Sequence, residues 1–97
     1  MRMPTPLQKS IADYLIHLEN KEGASGATAR NYRFYLERFV ALTQAKQTAD
    51  ITVATVRKFQ DKLAATRSQR GDLMRPTTIN YHLIAVRSLC TFLQSQG

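Results

Sequence analysis

Hydrophobic side chains recur at spacings of three and four residues in four segments of the chain, which is the period of an amphipathic α-helix. The apolar stripe of the first segment consists of Leu7, Ile11, Tyr14, Leu15 and Leu18. Thr5 as N-cap, Pro6 at the first helical position and Gln8 in a capping box predict where this helix begins. We expect it to end near Lys21, with Gly23 just beyond.

The second helix is predicted to run from about Thr28 to Gln44, with Ser25 placed to cap its N-terminus. Its apolar stripe consists of Tyr32, Leu36, Phe39 and Val40. Its outward side carries Ala27, Arg30, Asn31, Phe34 and Arg38. A polar linker from Ala45 to Asp50 is expected to follow.

The third helix is predicted to begin after Thr52, which is placed as its N-cap. Its apolar positions are Val53, Val56, Phe59 and Leu63. The next segment, Arg67 to Asp72, has no apolar period, and the sequence predicts a mobile, basic loop there.

Pro76 begins the fourth predicted helix, because its fixed φ suits a first turn and its missing N–H costs nothing there. This helix is expected to reach about Gln94, with an apolar stripe formed by Ile79, Leu83, Val86, Cys90 and Leu93. Its outward positions are Thr77, Asn80, Tyr81, Ile84, Arg87 and Ser88. Four amphipathic helices with no strand signal predict a small all-α bundle, and 97 residues suit a single domain spanning 1–97.

The chain is strongly basic. It has 14 Lys and Arg against 7 Asp and Glu, a net charge of +7, which suits a polyanionic partner. Charge alone names no partner, since ribosomal, membrane-surface and heparin-binding proteins share it. The single cysteine, Cys90, has no disulfide partner and is read as a small core residue in a reducing compartment. With neither an export signal nor a membrane span in the sequence, we expect a soluble, cytoplasmic protein without a membrane partner.

The side chains that catalysis needs are scarce and scattered in this chain. His17 and His82 are far apart in sequence and are predicted to lie at the borders of the apolar stripes of helices one and four. There is no glycine-rich phosphate loop and no paired-carboxylate spacing. We therefore expect no catalytic residue, no metal site and no cofactor.

The outward faces of helices two and four carry the side chains that contact DNA. Arginine and asparagine can pair with base edges, and arginine and hydroxyl groups can bind phosphates. Both kinds of group are supplied by Arg30, Asn31, Asn80, Tyr81 and Arg87. Thr28, Thr77 and Thr78 lie in first helical turns, where free N–H groups favour a phosphate. The alternative is that Thr28 and Thr78 are only local capping partners and that the arginines form a solvated face.

Two apolar residues, Phe34 and Ile84, fall on the same outward faces. They could contact thymine methyl groups or sugar, pack on another protein, or indicate a local error in helix phasing. An alternative function is therefore a helical protein-interaction module that binds an acidic partner, with these two residues as anchors. RNA binding is less favoured, because the chain lacks the aromatic platform that stacks single-stranded bases.

Taken in order, the caps and stripes form a pattern: Ser25-(x)2-Thr28-(x)3-Tyr32-(x)3-Leu36-(x)2-Phe39, Asp50-Ile51-Thr52, and Pro76-x-Thr78-Ile79-Asn80-(x)2-Leu83-(x)2-Val86-Arg87-Ser88. This pattern resembles the N-terminal core-binding domain of tyrosine recombinases of the phage integrase and Xer type. The resemblance extends from about Thr5 to Gly97. It implies a SAM-like fold, a four-helix orthogonal bundle.

The resemblance also implies a function. Such a domain forms half of a C-shaped clamp on double-stranded DNA at the core recombination site, with its second and fourth helices against the major groove. Carried over by position, the DNA-binding residues are Thr28, Arg30, Asn31, Tyr35, Arg75, Thr77, Asn80, Tyr81 and Arg87. The catalytic residues of the family belong to a separate C-terminal domain, so the implied partners are DNA, that domain and other recombinase subunits, with helix one as the pairing surface. Arg75 departs from the serine that many relatives place before the proline, which weakens the cap and suggests a phosphate contact.

Overall fold

A computed structural model describes residues 3–96, and this part of the chain contains four α-helices. They are α1 (Pro6–Asn20), α2 (Gly26–Thr43), α3 (Val53–Ala65) and α4 (Pro76–Gln96). The predicted all-α, four-helix architecture is confirmed, and every helix begins close to its predicted residue. The predicted limits of the domain at residues 1 and 97 lie outside the described residues.

Side-chain caps explain where three of the helices begin. The Gln8 N–H donates to Thr5 Oγ1 at 3.1 Å, and the Thr5 N–H donates to Gln8 Oε1 at 2.8 Å, which completes the predicted capping box. Ser25 Oγ accepts the Thr28 N–H at 3.1 Å at the start of α2. Thr52 plays the same role for α3. Each cap satisfies an N–H group that has no partner within its helix.

The core is formed where the apolar stripes of all four helices meet. α1 contributes all five of its predicted apolar residues, and they pack against buried Leu36, Phe39, Phe59, Leu63, Ala85, Val86 and Leu89. At the centre, the rings of Phe39 and Phe59 meet edge to face, with centroids 5.0 Å apart. This contact attaches α3 to α2. None of the helices within residues 3–96 has the length and apolar character to cross a membrane.

The segment between α2 and α3 is more structured than a polar linker. Ala45 is buried, and Thr48–Asp50 forms a turn of 3₁₀-helix. The Asp50 carboxylate accepts the N–H groups of Lys46 and Gln47, and these two hydrogen bonds lower the pKa of Asp50. The Lys46 carbonyl in turn accepts the Leu7 N–H at 2.9 Å. The segment therefore ties the start of α1 to the end of α2.

The segment between α3 and α4 is a loop, as predicted, and backbone hydrogen bonds close it into a hairpin. Arg67 and Leu73 pair as an antiparallel bridge, and the Ser68 N–H donates to the Asp72 carbonyl at 2.8 Å. Gly71 adopts a left-handed conformation, with φ of 87°, at the end of the turn. The Arg67 guanidinium donates to the Gly71 carbonyl at 2.8 Å, so this arginine stabilises the hairpin.

Candidate nucleic-acid interface

The helices α2 and α4 pass each other in opposite directions. Tyr32, in the first half of α2, lines a groove with Ser88 and Phe92, in the second half of α4. Further along α2, Arg38 contacts His82, which lies earlier in α4. The N-terminus of α2 therefore lies beside the C-terminal half of α4, and the first turns of the two helices lie at opposite ends of their contact.

Seven of the nine residues that the sequence predicts for DNA binding are exposed, namely Arg30, Asn31, Arg75, Thr77, Asn80, Tyr81 and Arg87. The other two, Thr28 and Tyr35, are half-buried. We call the exposed polar and apolar side chains of the two helices the α2–α4 surface, and it consists of Arg30, Asn31, Phe34, Thr77, Asn80, Tyr81, Ile84 and Arg87.

On α4, one outward ridge carries polar and apolar residues together. Asn80, Ile84 and Arg87 follow at spacings of four and three, so they share a side of the helix. Tyr81 precedes the groove residue Ser88 by seven residues, or two turns, and therefore lies toward α2. Its side chain is 50% exposed. Ser88, predicted to face outward, is half-buried in that groove, so this detail of the sequence analysis is wrong.

On α2, Phe34 is 51% exposed, and Ile84 on α4 is 37% exposed. Their predicted outward positions are confirmed, which excludes an error in helix phasing as the explanation. The guanidinium carbon of Arg38 lies 4.6 Å from the centre of the Phe34 ring, a cation–π distance. Arg38 itself is half-buried, so it is less exposed than its outward position predicts.

His82 is completely buried, and the prediction that it lies at the border of the stripe is wrong. Its Nδ1 lies 2.7 Å from the Thr78 carbonyl oxygen, and its Nε2 lies 3.4 Å from Arg38 Nη1. A carbonyl can only accept and a guanidinium can only donate, so Nδ1 carries the proton and Nε2 accepts. The signal was present in the sequence, because His82 precedes buried Val86 by four residues and Leu89 by seven.

Burial lowers the pKa of His82, and the charge of Arg38 lowers it further, against the hydrogen bond to Thr78 that raises it. The imidazole is therefore neutral at physiological pH. The Tyr35 ring packs beside it with centroids 4.3 Å apart, and the rings of Phe59 and Phe34 lie at 6.0 and 6.4 Å. Tyr35 thus links the core to the α2–α4 surface.

Thr28 takes part in the local cap of α2. Its N–H donates to Ser25 Oγ, and the Ser25 hydroxyl donates to Thr28 Oγ1, both at 3.1 Å. The local capping role of Thr28 is therefore confirmed. Because Thr28 Oγ1 acts as an acceptor in this pair, its own hydroxyl proton remains a potential donor.

Arg75 lies at the junction between the hairpin and α4. Its carbonyl accepts the Ile79 N–H at 3.0 Å, so its backbone begins the hydrogen-bond ladder of the helix. Its side chain is exposed, one residue before Pro76. The charge of Arg75 thus lies at the N-terminal end of α4, beside Thr77.

Metal-ligating and thiol chemistry has little support in the described part of the chain. Within residues 3–96, no three or more His, Cys, Asp and Glu side chains come together in a group that could hold a metal ion. Cys90 is half-buried, and burial raises the pKa of its thiol, which disfavours the reactive thiolate.

Fold and surface together define a class, a small all-α domain that exposes arginine, asparagine, threonine and tyrosine side chains on two adjacent helices. Residues 11–97 match the family described as phage integrase, N-terminal SAM-like domain. The chain belongs to this family, which confirms the resemblance and the SAM-like fold. The curated proteins and the solved structures contain no significant match. Membership supports an integrase-related role in DNA binding, and the N-terminal SAM-like domain of integrases is not itself catalytic.

Proposed function

We propose that this chain is the DNA-binding domain of a site-specific tyrosine recombinase or integrase, and that it clamps the core recombination site during DNA integration or recombination. The observation that carries the proposal is the α2–α4 surface, where two neighbouring helices expose arginine, asparagine, threonine and tyrosine. These side chains match the acceptors and donors of phosphates and base edges in the major groove. The net charge of +7 supports a polyanionic partner.

The opposed directions of α2 and α4 suit two phosphate contacts across one groove. The start of α2 lies beside the C-terminal half of α4, whereas the first turn of α4 begins at Pro76. Each first turn can thus approach a different strand with free N–H groups.

The proposed contacts are of two kinds, phosphate contacts at the ends of the surface and base contacts between them. Thr28, Arg75 and Thr77 would bind phosphates at the two ends of the surface, while Asn31 and Asn80 would reach base edges between them. Arg30, Tyr35, Tyr81 and Arg87 complete the proposed contact set. Phe34 and Ile84 would supply apolar contacts to sugar or thymine methyl groups.

We propose further that the parent protein breaks and rejoins DNA through a separate C-terminal catalytic domain. In that setting this domain would act in the cytoplasm, bind double-stranded DNA together with its catalytic partner, and associate with other recombinase subunits on DNA. Helix α1 is the proposed surface for that association.

The proposal is tested by measuring the affinity for a duplex of about 20 base pairs, two helical turns, across a range of salt concentrations. If five or six phosphates are neutralised, the slope of log affinity against log salt should be about −5. Arg87→Ala should weaken binding and reduce the slope by about 0.9 if Arg87 contacts a phosphate. An affinity that does not change between low and physiological salt would contradict the proposal.

The matched control is Arg33→Ala. Arg33 is also an exposed arginine, but it lines a groove between α1 and α2 with Ile11, Leu15 and Val40. The two variants remove the same charge from different faces. Equal losses of affinity would indicate a general charge effect rather than binding by the α2–α4 surface.

The exposure of Phe34 and Ile84 also favours a second candidate, a helical protein-interaction module that binds an acidic partner. It predicts that Phe34→Ala weakens binding of that partner, whereas Arg87→Ala leaves the affinity for DNA unchanged. A loss of DNA affinity in Arg87→Ala that exceeds the loss in Arg33→Ala would reject this candidate.

A further inference from the structure

We infer, resting on the proposed function, that Arg38 is a further DNA-contacting residue and that His82 is the positioning residue that holds its guanidinium. Arg38 is half-buried between α2 and α4, and its side chain is fixed by two contacts from two helices. Within residues 3–96, no other arginine beside the α2–α4 surface has its guanidinium held by side chains of both helices. The arrangement presents a cation at the seam of the two helices.

Two different interactions hold the guanidinium. The Phe34 ring lies 4.6 Å from the guanidinium carbon, which packs the planar group against an aromatic face. His82 Nε2 accepts from Nη1 at 3.4 Å, which fixes one edge of the group. An arginine held in this way loses less conformational freedom when it binds a ligand than a free one does.

The protonation of His82 makes the second contact possible. Its Nδ1–H is engaged with the Thr78 carbonyl at 2.7 Å, so only the neutral tautomer with a free Nε2 lone pair can accept from Arg38. The imidazole is buried against Tyr35 and Phe59, which keeps its ring plane fixed. His82 therefore acts through Arg38 and does not itself reach DNA.

Arg38 keeps donors for a ligand after this bond is made. A guanidinium has five N–H groups, and Nη1 supplies one of them to His82. Arg38 follows Asn31 by seven residues, so both lie on one side of α2, next to half-exposed Phe34. The acceptors that suit the remaining donors are DNA oxygens, either a phosphate or the O6 and N7 edge of guanine.

The first test compares Arg38→Ala with Arg33→Ala in binding to a duplex of about 20 base pairs. We expect Arg38→Ala to weaken binding roughly tenfold to hundredfold, as expected for loss of a charge-assisted hydrogen bond, and Arg33→Ala to weaken it much less. A uniform loss across sequences with a smaller salt slope would identify a phosphate, and a loss confined to some sequences would identify guanine. A loss no larger than that of Arg33→Ala would overturn the inference.

The second test isolates the positioning role of His82. His82→Phe preserves a ring but removes the acceptor, whereas His82→Gln offers a carbonyl oxygen to Arg38. We expect His82→Phe to weaken DNA binding by at least about threefold, His82→Gln to restore most of the affinity, and His82→Phe to have no further effect in an Arg38→Ala background. Equal effects of His82→Phe with and without Arg38 would show that His82 acts independently of it.

Because substitutions of buried His82 can impair folding, a variant at the surface provides a second test of how Arg38 is held. Phe34→Leu removes the ring beneath the guanidinium at a half-exposed position, and we expect it to weaken DNA binding more strongly when Arg38 is present than in the Arg38→Ala background. Urea unfolding of each variant confirms that the protein compared is folded. If Phe34→Leu weakens binding equally in the Arg38→Ala background, Arg38 is not held by Phe34 and the inference fails.

The outcomes separate this inference from the proposed function. If Asn80→Ala and Arg87→Ala weaken DNA binding while Arg38→Ala does not, the α2–α4 surface binds DNA and Arg38 has no part in it. If duplex DNA does not bind to the wild-type chain, the proposed function fails and the inference fails with it.

Discussion

At the scale of single residues, His82 shows how a polar side chain is accommodated in a small core. Both ring nitrogens have hydrogen-bond partners, so burial leaves no polar atom unsatisfied. The same burial penalises the charged form and lowers the pKa of the imidazole. The folded state therefore favours the neutral imidazole over the charged one.

This preference for the neutral imidazole predicts a loss of stability in mild acid. The folded-state pKa of His82 lies below the ordinary value of 6.5, so at intermediate pH the unfolded chain binds more protons than the folded one. The contribution of His82 is fully present above about pH 6.5 and is lost as the pH falls from there toward the folded-state pKa. Urea unfolding between pH 7.5 and pH 5 should show the free energy of unfolding decreasing over this range.

The variants His82→Gln and His17→Gln provide the comparison for the acid effect. His17 is only half-buried, beside the Phe92 ring. His82→Gln should flatten the dependence on pH, and His17→Gln should leave most of it in place. Asp50 does not interfere, because its pKa is lowered from 3.8, so its stabilising contribution is fully present from pH 7.5 to pH 5 and is lost only below about pH 3.8. A wild-type stability that stays constant from pH 7.5 to pH 5 would contradict this role of His82.

A second residue-scale prediction concerns Gly71. Its φ of 87° lies in the left-handed region, where a Cβ atom is disfavoured. Gly71→Ala should therefore lower the free energy of unfolding by about 1 kcal/mol, measured by urea unfolding. Gly26, at the first position of α2, has open space around its Cα and no positive φ, so Gly26→Ala should leave stability unchanged or slightly raised. Equal effects of the two substitutions would show that the hairpin conformation does not matter for stability.

At the scale of elements, the helix boundaries could be predicted because short-range chemistry sets them. Thr5, Ser25 and Thr52 each satisfy an N–H group three residues ahead, and this spacing is visible in the sequence. The hairpin and the 3₁₀ turn could not be predicted in the same way. The hairpin depends on backbone hydrogen bonds, and the 3₁₀ turn depends on the Asp50 carboxylate, which accepts from Lys46 and Gln47. Neither kind of contact produces a periodic pattern of apolar residues in the sequence.

The position of the site could be predicted only in part, for a related reason. Exposure of Asn80 and Arg87 follows from the helical period. The contact between Arg38 and His82 joins residues 44 positions apart, so it depends on how α2 crosses α4. The half-burial of Ser88 has the same origin, because α1 and α2 cover that side of α4.

The attachment of α3 provides an element-scale prediction. Phe59 is fully buried and meets both Phe39 and His82, so one side chain joins α3 to α2 and α4. Phe59→Ala should cost about 3–5 kcal/mol in the free energy of unfolding, measured in urea. Val53→Ala, at a position of the same helix that is 71% exposed, should cost less than about 0.5 kcal/mol. Similar costs at the two positions would contradict the central place of Phe59 in the core.

At the scale of the whole molecule, the helices bury one side in the core and leave the α2–α4 surface exposed. α1 places its five predicted apolar residues in the core, and α2 and α4 leave most of their outward residues exposed. Under the proposed function, the net charge of +7 would attract a duplex at long range. The orientation of the domain on DNA and its sequence specificity would then depend on the side chains of the α2–α4 surface.

The most direct test of this division is an NMR titration of ¹⁵N-labelled protein with a duplex of about 20 base pairs at low salt. If α2 and α4 bind DNA, the amide signals that shift should belong mainly to residues 28–38 and 75–87, and the shifts should decrease as salt is added. The amides of α1 along the Arg33 groove should move little. Shifts concentrated on α1 or spread evenly over the molecule, or shifts near Phe34 alone that salt does not alter, would contradict the assignment of the DNA-binding surface.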